Sequence, residues 1–522
     1  MPSSFKIKDR TFTPKGPYPI PGSTEEDAIF RKLAKDFALQ YDKIFPDKHA
    51  PRTVLIIPSL SSDTDLLTKI KGAIHYEERM LCLLMLLRMP RTRVIYVTSI
   101  PVSESIVDYY LHLLPGIPGR HARERLTMLS CHDPSAKPLT QKILERPRLM
   151  ERIRSLVPDP SCSHITAFIS SDLEKTLAVR LGIPLFGTNP DKSYEGTKSG
   201  GRKNFRTAAI PLPDGFEDLT SKDEVIKCLT TLKTKYPELK KVVVKLNDGF
   251  SGDGNALYTY PLITSGDDTE LVIREYFSRQ FKPVATEITE EEFFRKFAEM
   301  GGIAEVFLEG EKITSPSVQC VISPNGHVEI VSTHDQILGG PGNQIYLGAA
   351  FPADEKYNIP LAESGRKVAE VLSQKGAIGR FAIDFLSVEQ PDGSWIHHAI
   401  EINLRKGGTT HPLLTLQFLT DGIYDEKTGK YITASGNRRF YFASDNVVSE
   451  AYKGLTPDDL FDIAIFHGLM YDGATQEGVM FHLVGALSEF GKLGLVCVGS
   501  SPERAKEFYD RTIATLDQEC EP

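Results

Sequence analysis

The sequence predicts a multidomain protein of mixed α/β and α+β class: a parallel α/β domain over residues 1–187, a two-part central region over 188–307 and 308–450, and a small α/β domain over 451–522. Three observations predict it. At roughly 100–200 residues per domain, a 522-residue chain holds about three or four domains. Up to residue 187, short apolar runs alternate with helical segments, the pattern of a parallel sheet covered on both faces. From residue 241 onward the apolar runs show period-two alternation broken by Gly-rich turns, which is antiparallel in character.

The elements follow in order. A charged segment, residues 25–45, reads as a helix ahead of the buried strand TVLIIPSL at 53–60, and a helix is expected from about Asp65 to Leu87. RVIYVTSI, ERLTMLS, HITAFIS and IPLFG are the next strands, separated by helical ESIVDYYLHLL, KILERPRLMERIRSLV and EKTLAVRL. The stretch 187–215 is rich in Gly, Pro and basic residues and marks a boundary. KVVVKL, NALYTYPL, AEVFL, SPSVQCVI, HVEIVST, GRFAIDFLSV and WIHHAIEIN supply central strands. The last region offers a helix at Pro457–Phe466, strands in VMFHLVG and LGLVCVG, and a closing helix from Pro502 to Leu516.

Composition narrows the function. With 41% hydrophobic and 25% charged residues the chain is neither disordered nor a coiled-coil rod. A formal net charge of -8 gives no basic field for nucleic acid, so small-molecule substrates are expected. The apolar run Met80–Met89 is broken by Arg88 and falls short of the roughly 20 residues of a membrane span. No signal-peptide pattern opens the chain, and seven scattered cysteines without a CxxC argue for reduced thiols and against zinc. A cytoplasmic enzyme without membrane or nucleic-acid partners is expected, with homo-oligomerisation left open.

Two constellations carry chemistry. Strand KVVVKL contains Lys245 and runs into GFSGDGN, where Gly249, Ser251, Gly252 and Gly254 expose backbone N–H groups able to close over polyphosphate beside the lysine charge. Taken alone, such a loop is also an ordinary Gly-rich hairpin. Further on, two strands are joined by the turn QPDG. Alternation sets Asp384 on the first, and Glu401 and Asn403 on one face of the second, an oxygen set suited to Mg²⁺. Arg405 follows on the same face, where its planar fork can meet a phosphoryl group or an oxyanion. Arg380 shares the face of Asp384 and is either a second such group or a structural ion-pair partner.

These motifs, in this order, resemble the ATP-grasp superfamily of carboxylate–amine ligases. Over nearly the full chain, HYEERMLCLL, GTKSGGRKNF, EINLRKGGTTHPLLTLQFLTDG and FHLVGALSEFGKLGLVCVG are similar to the pheganomycin-type peptide ligases, with a pre-ATP-grasp domain, a two-subdomain ATP-grasp fold and a C-terminal cap domain. The resemblance implies ATP and Mg²⁺ as cofactors and amide formation between a carboxylate and an amine through an acyl phosphate. It assigns a nucleotide-binding lysine to Lys192, with Lys198 and Lys203 in the same linker, and a second to Lys245. It assigns adenine and ribose contacts to Glu305, Val306, Phe307 and Leu308 with Glu309 or Glu311, and metal ligands to Asp384, Glu401 and Asn403. The alternatives are a thiol acceptor, kinase activity, or a nucleotide-binding regulator without turnover. THDQILGGPGNQIYLGAAFP, with His334, Asp335 and Gln336, reads as a loop between strands, closing over substrate or lying on the surface. His411, His467, His482 and Lys492 read as structural.

Overall fold

The structure, a computed structural model, describes residues 18–61, 68, 71–249, 254–264, 266–285, 288–339 and 345–520. Strands β1 (Arg52–Ile57), β2 (Thr92–Thr98), β3 (Leu126–Ser130) and β4 (Ser163–Ala167) form a parallel sheet in the order β3-β2-β1-β4. Every residue of β1 is buried. The pleat sends Val54 and Ile56 to one apolar cluster and Leu55 and Ile57 to another, as a sheet covered on both faces requires. IPLFG, expected as a strand, adds only a single parallel bridge from Leu185 to Ile165. Pro184 has no N–H to give a ladder. Ala73–Arg88 is wound as a 3₁₀ helix rather than an α-helix, and buries Tyr76 to Met85 without a break.

The second sheet holds β5 (Gly215–Leu219), β6 (Lys241–Leu246), β7 (Asn255–Thr259), β8 (Phe281–Pro283) and β9 (Gly302–Val306), antiparallel in the order β5-β9-β6-β7-β8. Its helices, Lys222–Lys235, Thr269–Gln280 and Glu290–Met300, share a core with Val242, Val244, Ala256, Tyr258 and Ala304. Alternation leaves Val243, Lys245 and Glu305 on the other face.

The third sheet has nine strands. It contains β10 (Ile313–Thr314), β11 (Pro316–Ile322), β12 (Val328–Gly339), β13 (Ile345–Phe351), β14 (Gly379–Glu389) and β15 (Trp395–Asn403). After the separate pair β16 (Ile423–Asp425) and β17 (Lys430–Ile432), it is completed by β18 (Phe440–Val448), β19 (Gly478–His482) and β20 (Lys492–Gly499). The order is β10-β14-β11-β12-β13-β18-β20-β19, with β15 on the free side of β14. The C-terminal strands β19 and β20 therefore extend this sheet through β18. Helix Asn358–Gln374 lies on β11 and β12, and Gly365 permits the close approach: a Cβ there would stand 2.5 Å from Val318 Cγ1. Segment 333–352 is mostly strand, not loop, because β12 runs through Gly339 and β13 resumes at Ile345, while residues 340–344 lie outside the described set.

Helix Ala73–Arg88 packs on helix Thr410–Thr420 and shares one apolar cluster with the third sheet. Among the described residues no helix is long and apolar enough to cross a membrane.

Candidate active site

A cavity of about 1130 Å³ is lined by the helix-free face of the second sheet, the third sheet and helix Ala73–Arg88. Lys245 projects into it from β6. Its Nζ donates to Glu305 Oε1 at 2.6 Å, and Arg202 Nη1 donates to Glu305 Oε2 at 2.6 Å. Glu305 is thus a buried anion shared by two cations, and it holds the Lys245 ammonium in place. Val306, Phe307, Leu308 and Glu309 continue along the wall. Glu311 is exposed and outside the lining, so of the two acids following this stretch only Glu309 borders the cavity. Gly249 and Gly254 line the cavity; Ser251 and Gly252 lie outside the described residues.

The β14–β15 hairpin supplies the acidic centre. Its register sets Asp384 opposite Glu401 and Ala382 opposite Asn403. A bulge between Asp384 and Phe385 then pairs Phe385 with Ala399, so Ile400 is the extra residue. Simple parity would turn Ala399 toward the cavity with Glu401. With the bulge, Ala399 is in the core while Ile400 and Glu401 both line the cavity. Asp384 Oδ2 accepts from Asn403 Nδ2 at 2.8 Å and Oδ1 from Gln336 Nε2 at 2.9 Å. Burial, and then the Glu401 charge, raise the Asp384 carboxyl above the ordinary aspartate range. Burial also works against the Glu401 charge, but the Lys198 ammonium, assisted by Lys245 and Arg405, outweighs it and holds that carboxyl low.

Lys198 opens helix Lys198–Thr207, whose N-cap Thr197 accepts from Gly200 N. Its Nζ donates to Glu401 Oε1 at 2.8 Å. Lys192 is exposed and outside the cavity lining, and Lys203 pairs with Asp218 at 2.5 Å on the surface. Of the three linker lysines, only Lys198 reaches the cavity, because the helix start turns it inward.

Arg405 lines the cavity, and the charges of Glu401, Asp248 and Asp384 act on it. Arg380, offered above as a companion to Arg405, is a correction. It opens β14 at the end away from Asp384 and is not in the lining. Its electrostatic neighbours are Glu329, Cys82, Cys320 and Tyr41. Parity assigned the face, but four residues of extended chain carry Arg380 roughly 13 Å beyond Asp384.

Asp335 and Gln336 line the cavity from β12, with Asp335 Oδ1 accepting from Tyr357 at 2.6 Å. His334 is outside the lining, buried against Phe351 and hydrogen-bonded to Tyr441. His411 and His482 are a buried pair with Nε2 atoms 3.1 Å apart, His467 pairs with Glu519 at 2.7 Å, and Lys492 Nζ donates to the Tyr76 hydroxyl at 2.7 Å. Arg202, Gln336, Arg79 and Asp445 were not singled out for this centre. Gln336 entered only as part of a stretch read as a loop, and the other three carried no local signal.

The family model described as IQCH-like, ATP-grasp matches residues 192–264 and 272–425, and the one described as PGM1 C-terminal domain matches residues 459–512. The chain is similar to L-propargylglycine--L-glutamate ligase of Streptantibioticus cattleyicolor, 31% identical over 480 residues, which cover 89% of this chain and 94% of that protein. IQ motif-containing protein H of Danio rerio is 22% identical over 542 residues, covering 94% of this chain and 50% of its own length. Among solved structures, the biotin carboxylase-beta-gamma-ATP complex from Campylobacter jejuni has a TM-score of 0.52 at 14% identity, covering 89% of this chain and 93% of its own, a likeness of fold.

Proposed function

The chain belongs to the ATP-grasp carboxylate–amine ligases, and from that membership we propose that it joins the carboxylate of one amino-acid or peptide-like substrate to the amine of another, spending ATP and releasing ADP and phosphate. One observation carries the reading. Two ammonium groups, a carboxylate pair with its amides, and a guanidinium from separate elements converge on a single cavity between two sheets.

Carboxylates resist amines because oxide is a poor leaving group, so the acid must first become an acyl phosphate. Lys245, oriented by Glu305, binds the phosphates from the second sheet, and Lys198 binds them from the linker helix in the role the resemblance offered to Lys192. Gly249 and Gly254 line the cavity beside the same oxygens. Val306, Phe307, Leu308 and Glu309 line the adenosine end. Asp384, Glu401 and Asn403 would hold Mg²⁺. Two carboxylates set opposite each other with Asp384 driven toward its neutral form are a donor set that a divalent ion relieves. Such an ion supplies neutralisation of phosphate charge when bound. Arg405 faces the oxygen that gains charge when the amine adds to the acyl carbon.

On this reading residues 1–187 carry the substrate-side α/β domain, 188–307 and 308–450 the two nucleotide-binding subdomains, and 451–522 a cap. All seven cysteines are unpaired, which goes with a reducing, cytoplasmic setting. The test is incubation with Mg²⁺, ATP and pairs of amino acids, followed by assay of ADP and phosphate and mass spectrometry of the product. Hydroxylamine in place of amine should give a hydroxamate. Formation of AMP, or of a stable phosphorylated product with no amide for any amine, would overturn the proposal.

A further inference from the structure

Another group of the same cavity is untouched by the nucleotide chemistry. Arg79, from helix Ala73–Arg88, donates from Nη2 to Asp445 Oδ2 of β18 at 2.5 Å, and the two residues are 366 positions apart in sequence. Each is 7% exposed, and both line the cavity with Tyr76, Tyr346 and Gly408. A buried ion pair returns little stability, because desolvation cancels most of its attraction, so the fold alone does not account for one on a substrate cavity wall.

The guanidinium is fixed and under-used. It lies over the Tyr76 ring at 3.9 Å, and Lys492 holds the hydroxyl of that ring at 2.7 Å. Arg79 Nε is buried and has no hydrogen-bond partner among the described residues. A planar fork with a spare donor is suited to a carboxylate. Gly408 lets the Tyr346 ring pack close on the same wall: a Cβ there would stand 2.7 Å from Tyr346 Cε1. The pair also lies within electrostatic reach of the reacting centre, since Asp445, Arg79 and Asp384 all act on the Tyr346 hydroxyl and Arg79 acts on Arg405.

We propose that Arg79 and Asp445 are the recognition site for an α-amino-acid substrate that reacts through a side-chain group, Arg79 taking its α-carboxylate and Asp445 its α-ammonium, both outside the bond being made. The proposal rests on the ligase reading above and deepens it. A zwitterion matches an ion pair because the ligand's two charges exchange places with it: the ammonium replaces Arg79 at Asp445, and the carboxylate replaces Asp445 at Arg79. Neither buried charge is left uncompensated as the substrate enters. A ligand carrying only an amine or only a carboxylate strands one of them.

The experiment uses the full chain with Mg²⁺ and a non-hydrolysable ATP analogue. The twenty proteinogenic amino acids and L-propargylglycine are titrated calorimetrically. The tightest binder is then compared with its α-carboxamide and with its analogue lacking the α-amino group. At least one amino acid binds, and both analogues bind about a hundredfold more weakly, since each leaves one member of a buried charge pair unpaired. R79Q binds acid and carboxamide alike, which a merely structural arginine would not cause. R79Q/D445N keeps a neutral, hydrogen-bonded pair, so it melts with the wild type and binds the ATP analogue unchanged while losing the amino acid about a hundredfold. The wild-type comparison needs no variant, so misfolding cannot shield the proposal. Absence of binding by every amino acid, equal binding of the analogues, or wild-type affinity in the double variant overturns it. Amide formation by the same protein would leave the ligase reading intact, whereas failure of the wild type to bind the ATP analogue would undo that reading itself.

Discussion

Glu305→Gln should destabilise the second sheet and make its stability depend on nucleotide. The Glu305 carboxylate receives Lys245 and Arg202, each at 2.6 Å, and is 2% exposed. Unit charges 2.6 Å apart attract by about 6 kcal/mol at an effective dielectric constant of about 20. Desolvation offsets part of this, and removing one partner of a buried pair costs about 3–5 kcal/mol because the other charge stays buried. Arg202 keeps Pro213 O at 3.0 Å and Glu217 at 3.3 Å, so the cost falls on Lys245. Urea unfolding followed by hydrogen exchange over β6 and β9 is the assay, because a chain of this size need not unfold in one step. The variant should lose about 3 kcal/mol in that sheet and recover more of it than the wild type gains on adding Mg²⁺ and an ATP analogue, whose phosphates replace the missing anion. Lys245→Met in the same protein should restore stability without restoring nucleotide binding. A loss below about 1 kcal/mol, the range of an exposed ion pair, would refute the view of Lys245 as a buried ammonium held for phosphate.

The other predictions concern the acidic centre and pH. Glu401→Gln should fold and bind nucleotide yet lose turnover by more than about a hundredfold, since partners one step removed from a metal already cost about 10–100-fold; near-normal turnover at saturating Mg²⁺ would mean the ion is held elsewhere. Gln336→Ala, which removes a donor to Asp384 at 2.9 Å, should raise the Mg²⁺ concentration giving half-maximal activity by about tenfold, and excess Mg²⁺ should restore the rate. His164, stacked on Phe37 at 5.7 Å, is held down to about 3 by burial and by the Arg52 and Lys406 charges, against 6.5 ordinarily. The unfolded chain therefore takes up this proton first, and stability present above pH 6.5 is lost as pH falls toward about 3, by roughly 5 kcal/mol. His164→Phe keeps the stacking and should flatten that part of the acid-unfolding curve; an unchanged curve would show that other groups set it.

What the sequence determined by itself is what a strand or helix carries locally. The pleat alternates side chains every second residue, so KVVVKL already separates core-facing Val242 and Val244 from Val243 and Lys245. The same rule put Glu401 and Asn403 on one face, and the motif order around them was enough to point to ATP-grasp. The tertiary structure decided what depends on how separately built sheets meet. A bulge after Asp384, invisible in the alternation, turned Ile400 and Glu401 together into the cavity and sent Ala399 to the core. The orientation of one helix start singled out Lys198 from three linker lysines, and distance along β14 removed Arg380 despite its correct parity. Arg79 and Asp445 carry no mutual signal, because their meeting is made by the packing of helix Ala73–Arg88 against the C-terminal half of the chain. Local periodicity follows from covalent geometry and is written into every few residues. Contacts across hundreds of residues follow from which apolar faces bury one another, and no short window of sequence contains that choice.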